Sequence, residues 1–318
     1  MRIHVIVNTT AHLYRVRPSV VKAVRQACDR RAELSITRTL DELTQACTAI
    51  AERGTDLVVL SGGDGTFMAG VTALTRSLGE ERLPPIALVP GGTVATVARN
   101  WGMKGDPLVL LNRILRVDGA PQTITRPTLR VRGVTKEGAL EERIGFIFGS
   151  GLVANFFDVY YAEGARGYPG AARIVARIFA ESFVGGRYAR RVLDPLTCAI
   201  EVDGRPLRPK AWSLVCASVV RNLGIHMLVT YRAGEDLRRP HFVCSPLTSS
   251  QLGPRMPLVL AGKRIGGAEH FDDLVSEFLV RFDPEGPYVL DGDMLRAREV
   301  SVSAGPALRV VDLASNPL

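Results

Sequence analysis

Aromatic side chains are scarce. Phe, Trp and Tyr together make up 6% of the 318 residues, so a core has to be filled mostly by Val, Leu, Ile and Ala. Cysteine is equally sparse: Cys28, Cys47, Cys198, Cys216 and Cys244 form no CxxC pair, are odd in number and lack metal-like spacing. A reduced cytoplasmic compartment is the expectation. The five histidines (His4, His12, His226, His241, His270) show no HExxH or paired spacing, which argues against zinc. No apolar run approaches the roughly 18 to 20 residues that span a bilayer, and Trp212 to Val220 is of core-strand length. The first residues lack a signal peptide's apolar region and cleavage site. There is no GxxxxGK[ST] loop, since Gly262-Lys263 is followed by Arg264, and no GxSxG frame around Ser150.

What is present is ordinary globular composition, 46% hydrophobic and 23% charged, which excludes disorder, collagen and coiled coil. The length corresponds to about two domains at ~100 to 200 residues each. Net charge is +8. Such an excess suits nucleic acid, anionic membrane or phosphorylated ligands. The basic residues are mostly Arg in small groups: Arg187, Arg190 and Arg191, then Arg205, Arg208 and Lys210, then Arg238 and Arg239. No dense basic helix or aromatic-interleaved RNA motif accompanies them, so nucleic acid is not expected.

Hydrophobic periodicity divides the chain. Ile3 to Val7, Leu34 to Thr37, Leu57 to Leu60 and Ile86 to Val89 read as strands, and helical spacing links Val20, Val21, Val24, Ala27 and Cys28. Thr39 and Glu42 have capping-box spacing ahead of the face Leu43, Ala46, Cys47 and Ile50. Beyond about Thr125 the texture turns β-rich: Thr128 to Val134, Ile144 to Phe148, Leu196 to Val202, Ser213 to Val220, Phe278 to Phe282 and Val300 to Val302, interrupted by a helical Ala171 to Phe183. A parallel βα domain followed by a mainly antiparallel one is the expectation.

Two of the early strands run into glycine turns, Ser61-Gly62-Gly63-Asp64-Gly65-Thr66 and Pro90-Gly91-Gly92-Thr93, each followed by a helix-like segment. Loops at the C-terminal ends of parallel strands share one edge, where ligands bind. Gly62, Gly63 and Gly65 let backbone N–H groups approach an anion, and the next helix adds its positive end. Phosphate is the natural occupant. Asp64 repels phosphate unless a divalent cation intervenes or the carboxylate points elsewhere, which hints at Mg2+. Gly149-Ser150-Gly151-Leu152-Val153-Ala154 also fits GxGxxG/A after a strand, but Phe156 to Gly170 is aromatic and broken by glycine and proline. It reads as a decoy for a dinucleotide.

Gly62-Gly63-Asp64-Gly65-Thr66 together with Pro90-Gly91-Gly92-Thr93 resembles the diacylglycerol kinase catalytic family, which includes sphingosine, ceramide and bacterial lipid kinases. The ordered set extends the likeness: a strand ending in Asn8, Ala98-Arg99 after the second loop, a glycine-bearing strand near Phe146 to Gly151, and Asp291-Gly292-Asp293 late in the chain. The resemblance implies an α/β fold: a Rossmann-like βα domain of NAD-kinase/diacylglycerol-kinase-like topology over 1–125, and a larger β-rich, antiparallel sandwich-like lipid-substrate domain over 126–303. A terminal segment of about 304–318 is expected to pack back on the first domain. It implies ATP and Mg2+ as cofactors, with Gly62, Gly63, Asp64, Gly65 and Thr66 on the ATP phosphates and Asn8, Gly92 and Thr93 lining the cleft. The family's late Asp-Gly-Glu falls on Asp291-Gly292-Asp293, with Asp293 in place of the proton acceptor; Asp291, Asp293 and Asp64 are the catalytic candidates. Two departures stand out: Ala95 where the family usually has Asn, and Asn8-Thr9-Thr10-Ala11 in place of an Asn-Pro start. The family's structural Mg2+ site is not placed; Arg232 to Asp236 is the segment to search.

An ATP-dependent lipid kinase acting on a primary hydroxyl, diacylglycerol or a ceramide or sphingoid lipid, accounts for these features and for the basic excess, since a cytoplasmic enzyme needs only peripheral adsorption to anionic lipid. Phe156, Phe157, Tyr160, Tyr161, Ile178 and Phe179 are available for an acyl pocket. A soluble-substrate kinase of the NAD kinase or phosphofructokinase type, and a nucleotide- or lipid-binding homologue without activity, stay open as alternatives. Oligomeric state, a homodimer included, is also open.

Overall fold

The computed structural model describes residues 1–117, 119–165 and 167–313. The chain forms two compact units, one of Met1–Arg126 with the terminal stretch from Pro306, the other of Pro127–Gly305. Of the terminal segment expected to pack on the first unit, residues 314–318 lie outside the described residues.

In the first unit the order is β1 (Ile3–Asn8), α1 (His12–Val16), α2 (Ser19–Cys28), β2 (Glu33–Thr37), α3 (Leu40–Arg53), β3 (Leu57–Gly62), α4 (Asp64–Leu78), β4 (Ile86–Pro90), α5 (Thr96–Asn100), α6 (Pro107–Leu115) and β5 (Thr123–Arg126). The sheet runs β2, β1, β3, β4, then a strand Leu308–Val311, then β5; the first five are parallel and β5 antiparallel. Leu57, Val58, Val59 and Leu60 are fully buried. That is why β3 reads as a continuous apolar run: helices cover both of its faces. The Thr39 and Glu42 spacing delivers its capping box at the start of α3, and Gly54 ends that helix at φ 71°.

The second unit is built on an antiparallel sheet. Along it lie Phe271–Leu274, His241–Ser245, Leu214–Ser218, β8 (Ile147–Gly151), Glu277–Leu290, Asp293–Ala304, β6 (Leu129–Val134) and β7 (Leu140–Gly145), with Ala199–Val202 paired on Glu277–Leu290. A helical layer, α7 (Leu152–Ala162), α8 (Gly167–Ser182) and α9 (Arg187–Leu193), follows β8 and shares a core of Val159, Ile174, Ile178, Val192 and Leu193. The aromatic stretch beginning at Phe156, read from sequence as interrupted, is helical as far as Ala162. Its breakers fall outside α7: Gly164 lies after its end, and Gly167, Pro169 and Gly170 occupy the first turn of α8, where a missing N–H costs nothing. A helix therefore does follow Gly151, but the neighbours of β8 run antiparallel to it, so no βαβ unit for a dinucleotide results.

Candidate functional site

The two glycine turns leave β3 and β4 in register, with Gly62 opposite Pro90 at the end of the parallel ladder. Beyond that point they bond to each other. The Gly62 carbonyl accepts from the amides of Gly91 at 2.7 Å and Gly92 at 3.0 Å. A Cβ on Gly92 would stand 2.5 Å from the Gly63 Cα. The amides of Gly91 and Gly92 are thus spent on the first loop and not offered to an anion, because the backbones approach too closely for anything to enter between them. Gly92 holds the loops together. Thr93, after it, is exposed.

The first loop keeps its donors. Helix α4 opens directly on Asp64 with Gly63 as a cap that has no side chain to offer, and its first bond to the preceding loop runs from Phe67 N to the Gly63 carbonyl at 3.0 Å. The amides of Asp64, Gly65 and Thr66 thus form the unmatched end of a 15-residue helix, where the dipole favours an anion. Asn8 secures this end from β1, donating Nδ2 to Thr66 Oγ1 at 2.9 Å while its Oδ1 accepts from Thr10 N at 2.9 Å. Thr66 Oγ1 in turn lies where a Cβ on Gly62 would have to be. Tyr14 was not singled out from sequence. Its hydroxyl pairs with Ser61 and its ring lies 2.9 Å from where a Gly91 Cβ would sit. No spacing rule reaches from residue 14 to the loops, though a buried Tyr beside a glycine turn is a usable signal once the fold is known.

Asp64 is turned away from the phosphate end. Its Oδ2 accepts from Thr96 N at 2.8 Å and its Oδ1 from Val97 N at 3.0 Å, so it caps α5. Burial pushes its carboxyl upward in pKa, opposed by the bonds from Val97 and Thr96 and by Arg99. A carboxylate with both oxygens committed to amides does not fit a magnesium site. Among the described residues no trio of His, Cys, Asp or Glu is arranged to hold a metal ion. In the Arg232 to Asp236 segment, Glu235 is bonded to Arg232 at 3.0 Å, and that guanidinium also holds Asp273 at 2.8 Å.

This distant cap explains how the loop holds with Ala at position 95. Ala95 is buried and left-handed, φ 49° and ψ 54°, and offers no capping side chain. An Asn tolerates that conformation better than Ala does. Replacing Ala95 by Gly is expected to stabilise the protein by roughly 0.5 to 1 kcal/mol, since relief of the left-handed strain exceeds the extra unfolded-state entropy. A higher denaturation midpoint at unchanged slope is the check.

In the second unit Leu290 and Asp293 pair at the end of a hairpin, and Asp291 (φ 50°) and Gly292 (φ 94°) form its two-residue turn, the Asp-Gly chemistry such turns require. The two acids differ sharply. Asp291 is buried, and its carboxylate accepts from Phe146 N at 2.9 Å and Ile147 N at 3.0 Å. It braces the crossing from β7 to β8, and a Cβ on Gly145 would lie 2.6 Å from its Oδ2. Asp293 is exposed, and no hydrogen bond engages its carboxylate among the described residues. Displaced water raises its pKa above the ordinary carboxylate value and Arg143 pulls it back. Tyr161 donates its hydroxyl to the Gly292 carbonyl at 2.8 Å and fixes the turn from α7.

Arg143 gave no sequence signal, yet its charge opposes the upward shift at Asp293. If Asp293 acts as a base, activity rises with pH as its carboxyl ionises. Arg143→Ala removes the group that favours ionisation, so the acid limb of kcat/KM is expected to move to higher pH. A limb that stays in place or moves down would separate Asp293 from the rate.

The first unit is a mainly parallel α/β sheet with a glycine loop opening a helix at its strand ends. Residues 2–125 match the sequence model of the diacylglycerol kinase catalytic domain. No curated protein matches the chain. Among solved structures, a diacylglycerol kinase from Bacillus anthracis str. Sterne aligns over 99% of this chain and 98% of its own at 15% identity, TM-score 0.62. Two further structures from that organism, assigned as diacylglycerol kinases only provisionally, align over 99% of this chain and 97% and 98% of theirs, both at 16% identity, with TM-scores of 0.64 and 0.65. At these identities the likeness is one of fold, and it covers both units.

Proposed function

We propose that the chain is an ATP-dependent lipid kinase that transfers the γ-phosphoryl group to a primary hydroxyl of a membrane lipid. The observation that carries this reading is the uncapped start of α4 within the matched family domain: three amides free for phosphate, the adjacent acid turned away, and a second loop locked behind the first. Phosphoryl transfer asks little of a protein beyond positioned phosphates and a base at the acceptor hydroxyl. The first unit supplies the phosphate end, with Asn8, Gly62, Gly63, Gly65 and Thr66 shaping it and Asp64 and Gly92 holding it in place.

The second unit supplies the base. Asp293 carries an uncommitted carboxylate whose raised pKa suits proton abstraction; Asp291 does not, because both of its oxygens hold backbone amides. In the reaction Asp293 takes the hydroxyl proton, the acceptor oxygen bonds to the γ-phosphorus, and the bond to the leaving ADP breaks. Tyr161 and the neighbouring aromatic residues of α7 suit an acyl-bearing acceptor.

Incubation with γ-labelled ATP and, separately, diacylglycerol, ceramide, sphingosine and monoacylglycerol, followed by lipid extraction, tests the reading. Label is expected in the lipid phase with at least one of them. Label confined to ATP and inorganic phosphate would overturn the proposal, as would transfer to NAD or a sugar phosphate in parallel reactions.

A further inference from the structure

The turn between α8 and α9 exposes apolar side chains that the fold could have buried. Val184 is 81% and Phe183 56% exposed, adjacent in the chain and at the tip of the helical layer. The tip is firmly held. The Glu181 carbonyl accepts from Val184 N at 3.2 Å and Gly186 N at 2.9 Å, Gly185 adopts φ 62°, and Phe179 packs edge-on against Phe183 with ring centroids 5.0 Å apart. Below the tip, the Glu181 carboxylate accepts from Arg177 Nε at 3.0 Å and Tyr188 N at 2.9 Å, while the Arg177 guanidinium lies 3.8 Å over the Tyr188 ring. A rigid pair of exposed apolar residues is presented, not a frayed end.

Charge around the tip is one-sided. Glu181 is neutralised by Arg177, and Arg191 is paired with Asp158 at 3.0 Å. Arg187 and Arg190 are exposed and make no ion pair among the described residues, and the Arg190 guanidinium lies 3.1 Å from where a Gly185 Cβ would be. We infer that Phe183 and Val184, flanked by Arg187 and Arg190, dock this unit on the surface of an anionic lipid bilayer. The apolar pair enters the acyl boundary and the two guanidinium groups remain among the phosphates, the division of labour that interfacial segments use. The inference rests on the lipid-kinase reading for why the chain should meet a bilayer. The complementarity of the tip does not depend on it.

Vesicle sedimentation tests it, with phosphatidylcholine alone and with phosphatidylcholine mixed with phosphatidylglycerol. The wild-type protein is expected to bind the mixed vesicles. Phe183→Ser with Val184→Ser is expected to weaken that binding on the order of 100-fold, from the apolar area no longer withdrawn from water. Arg187→Ala with Arg190→Ala is expected to weaken it by roughly 30-fold at low salt and to leave binding to neutral vesicles unchanged. Phosphorylation of a short-chain, water-soluble acceptor should be unaltered in both variants. Retained vesicle binding in the serine variant overturns the inference, as does a tip that governs dimerisation in size-exclusion chromatography and leaves vesicle binding alone. Tip-dependent vesicle binding without phosphorylation of any acceptor would refute the kinase reading and leave the docking surface standing.

Discussion

Gly92→Ala is expected to abolish nucleotide binding. The added methyl would sit 2.5 Å from the Gly63 Cα, well inside contact distance, and its neighbour is main chain that no rotamer change can move. The loops have to separate. That breaks the pair of bonds that the Gly62 carbonyl accepts from Gly91 and Gly92, and it pulls Asp64 away from the Thr96 and Val97 amides it caps. Losing two bonds to a carboxylate costs about 3 to 6 kcal/mol in total, more than a phosphate recovers at a displaced helix end. An affinity loss of roughly 100-fold or more, read by nucleotide titration, is the expected result. A second variant guards against global unfolding as the cause: Gly79→Ala, at a helix end with open space around it and φ 76°, should cost about 1 kcal/mol in stability and leave binding intact. Equal nucleotide affinity in Gly92→Ala and wild type would refute the loop-locking role.

The second large effect separates two acids two residues apart. Asp293→Asn is expected to lower turnover by roughly 10²- to 10⁴-fold, the usual worth of a general base, with thermal stability near wild type because no hydrogen bond depends on that carboxylate. Asp291→Ala is expected to act through the fold. It removes the carboxylate that the buried Phe146 and half-buried Ile147 amides share, at about 2 to 4 kcal/mol together, and lowers Tm by roughly 5 to 15 °C for a unit of this size. Scanning calorimetry and single-turnover kinetics on both variants tell these outcomes apart. If Asp291→Ala abolished the chemistry at unchanged Tm, or Asp293→Asn unfolded the protein, the assignments would have to be exchanged.

The fold class was legible because its signals are local. The unbroken run of β3, the Thr39 and Glu42 spacing and the glycine turns after β3 and β4 each lie within a few residues of one another. α7 was hidden because its aromatic residues resemble strand, and the nearby glycines and proline sit beyond its end or in the first turn of α8. In the site, the loops could be read, but the direction of their amides could not. Whether Gly92 N faces a ligand or the Gly62 carbonyl depends on strand register across 30 residues of chain. The cap that Asp64 provides for α5 is a tertiary contact with no spacing rule, so a carboxylate among phosphate-binding glycines suggested a cation. The split between Asp291 and Asp293 depends on which one meets the β7 to β8 crossing, about 145 positions earlier in the chain. Tyr161 and Arg143 act on Asp293 from similar separations, and nothing near them in sequence marks that role.

The strand Leu308–Val311 lies between β4 and β5 in the first sheet, which makes the second unit an insertion, with its entry and exit held together by Gly305 N on the Thr128 carbonyl at 2.9 Å. A ribosome therefore delivers every other part of that sheet long before the piece that completes it. Until Leu308–Val311 emerges, β4 has no neighbour on its outer side and β5 has no partner, while the inserted unit precedes that strand whole. Released chains truncated just short of Pro306 should carry a closed second unit and a protease-sensitive first one, in the reverse of their order along the message.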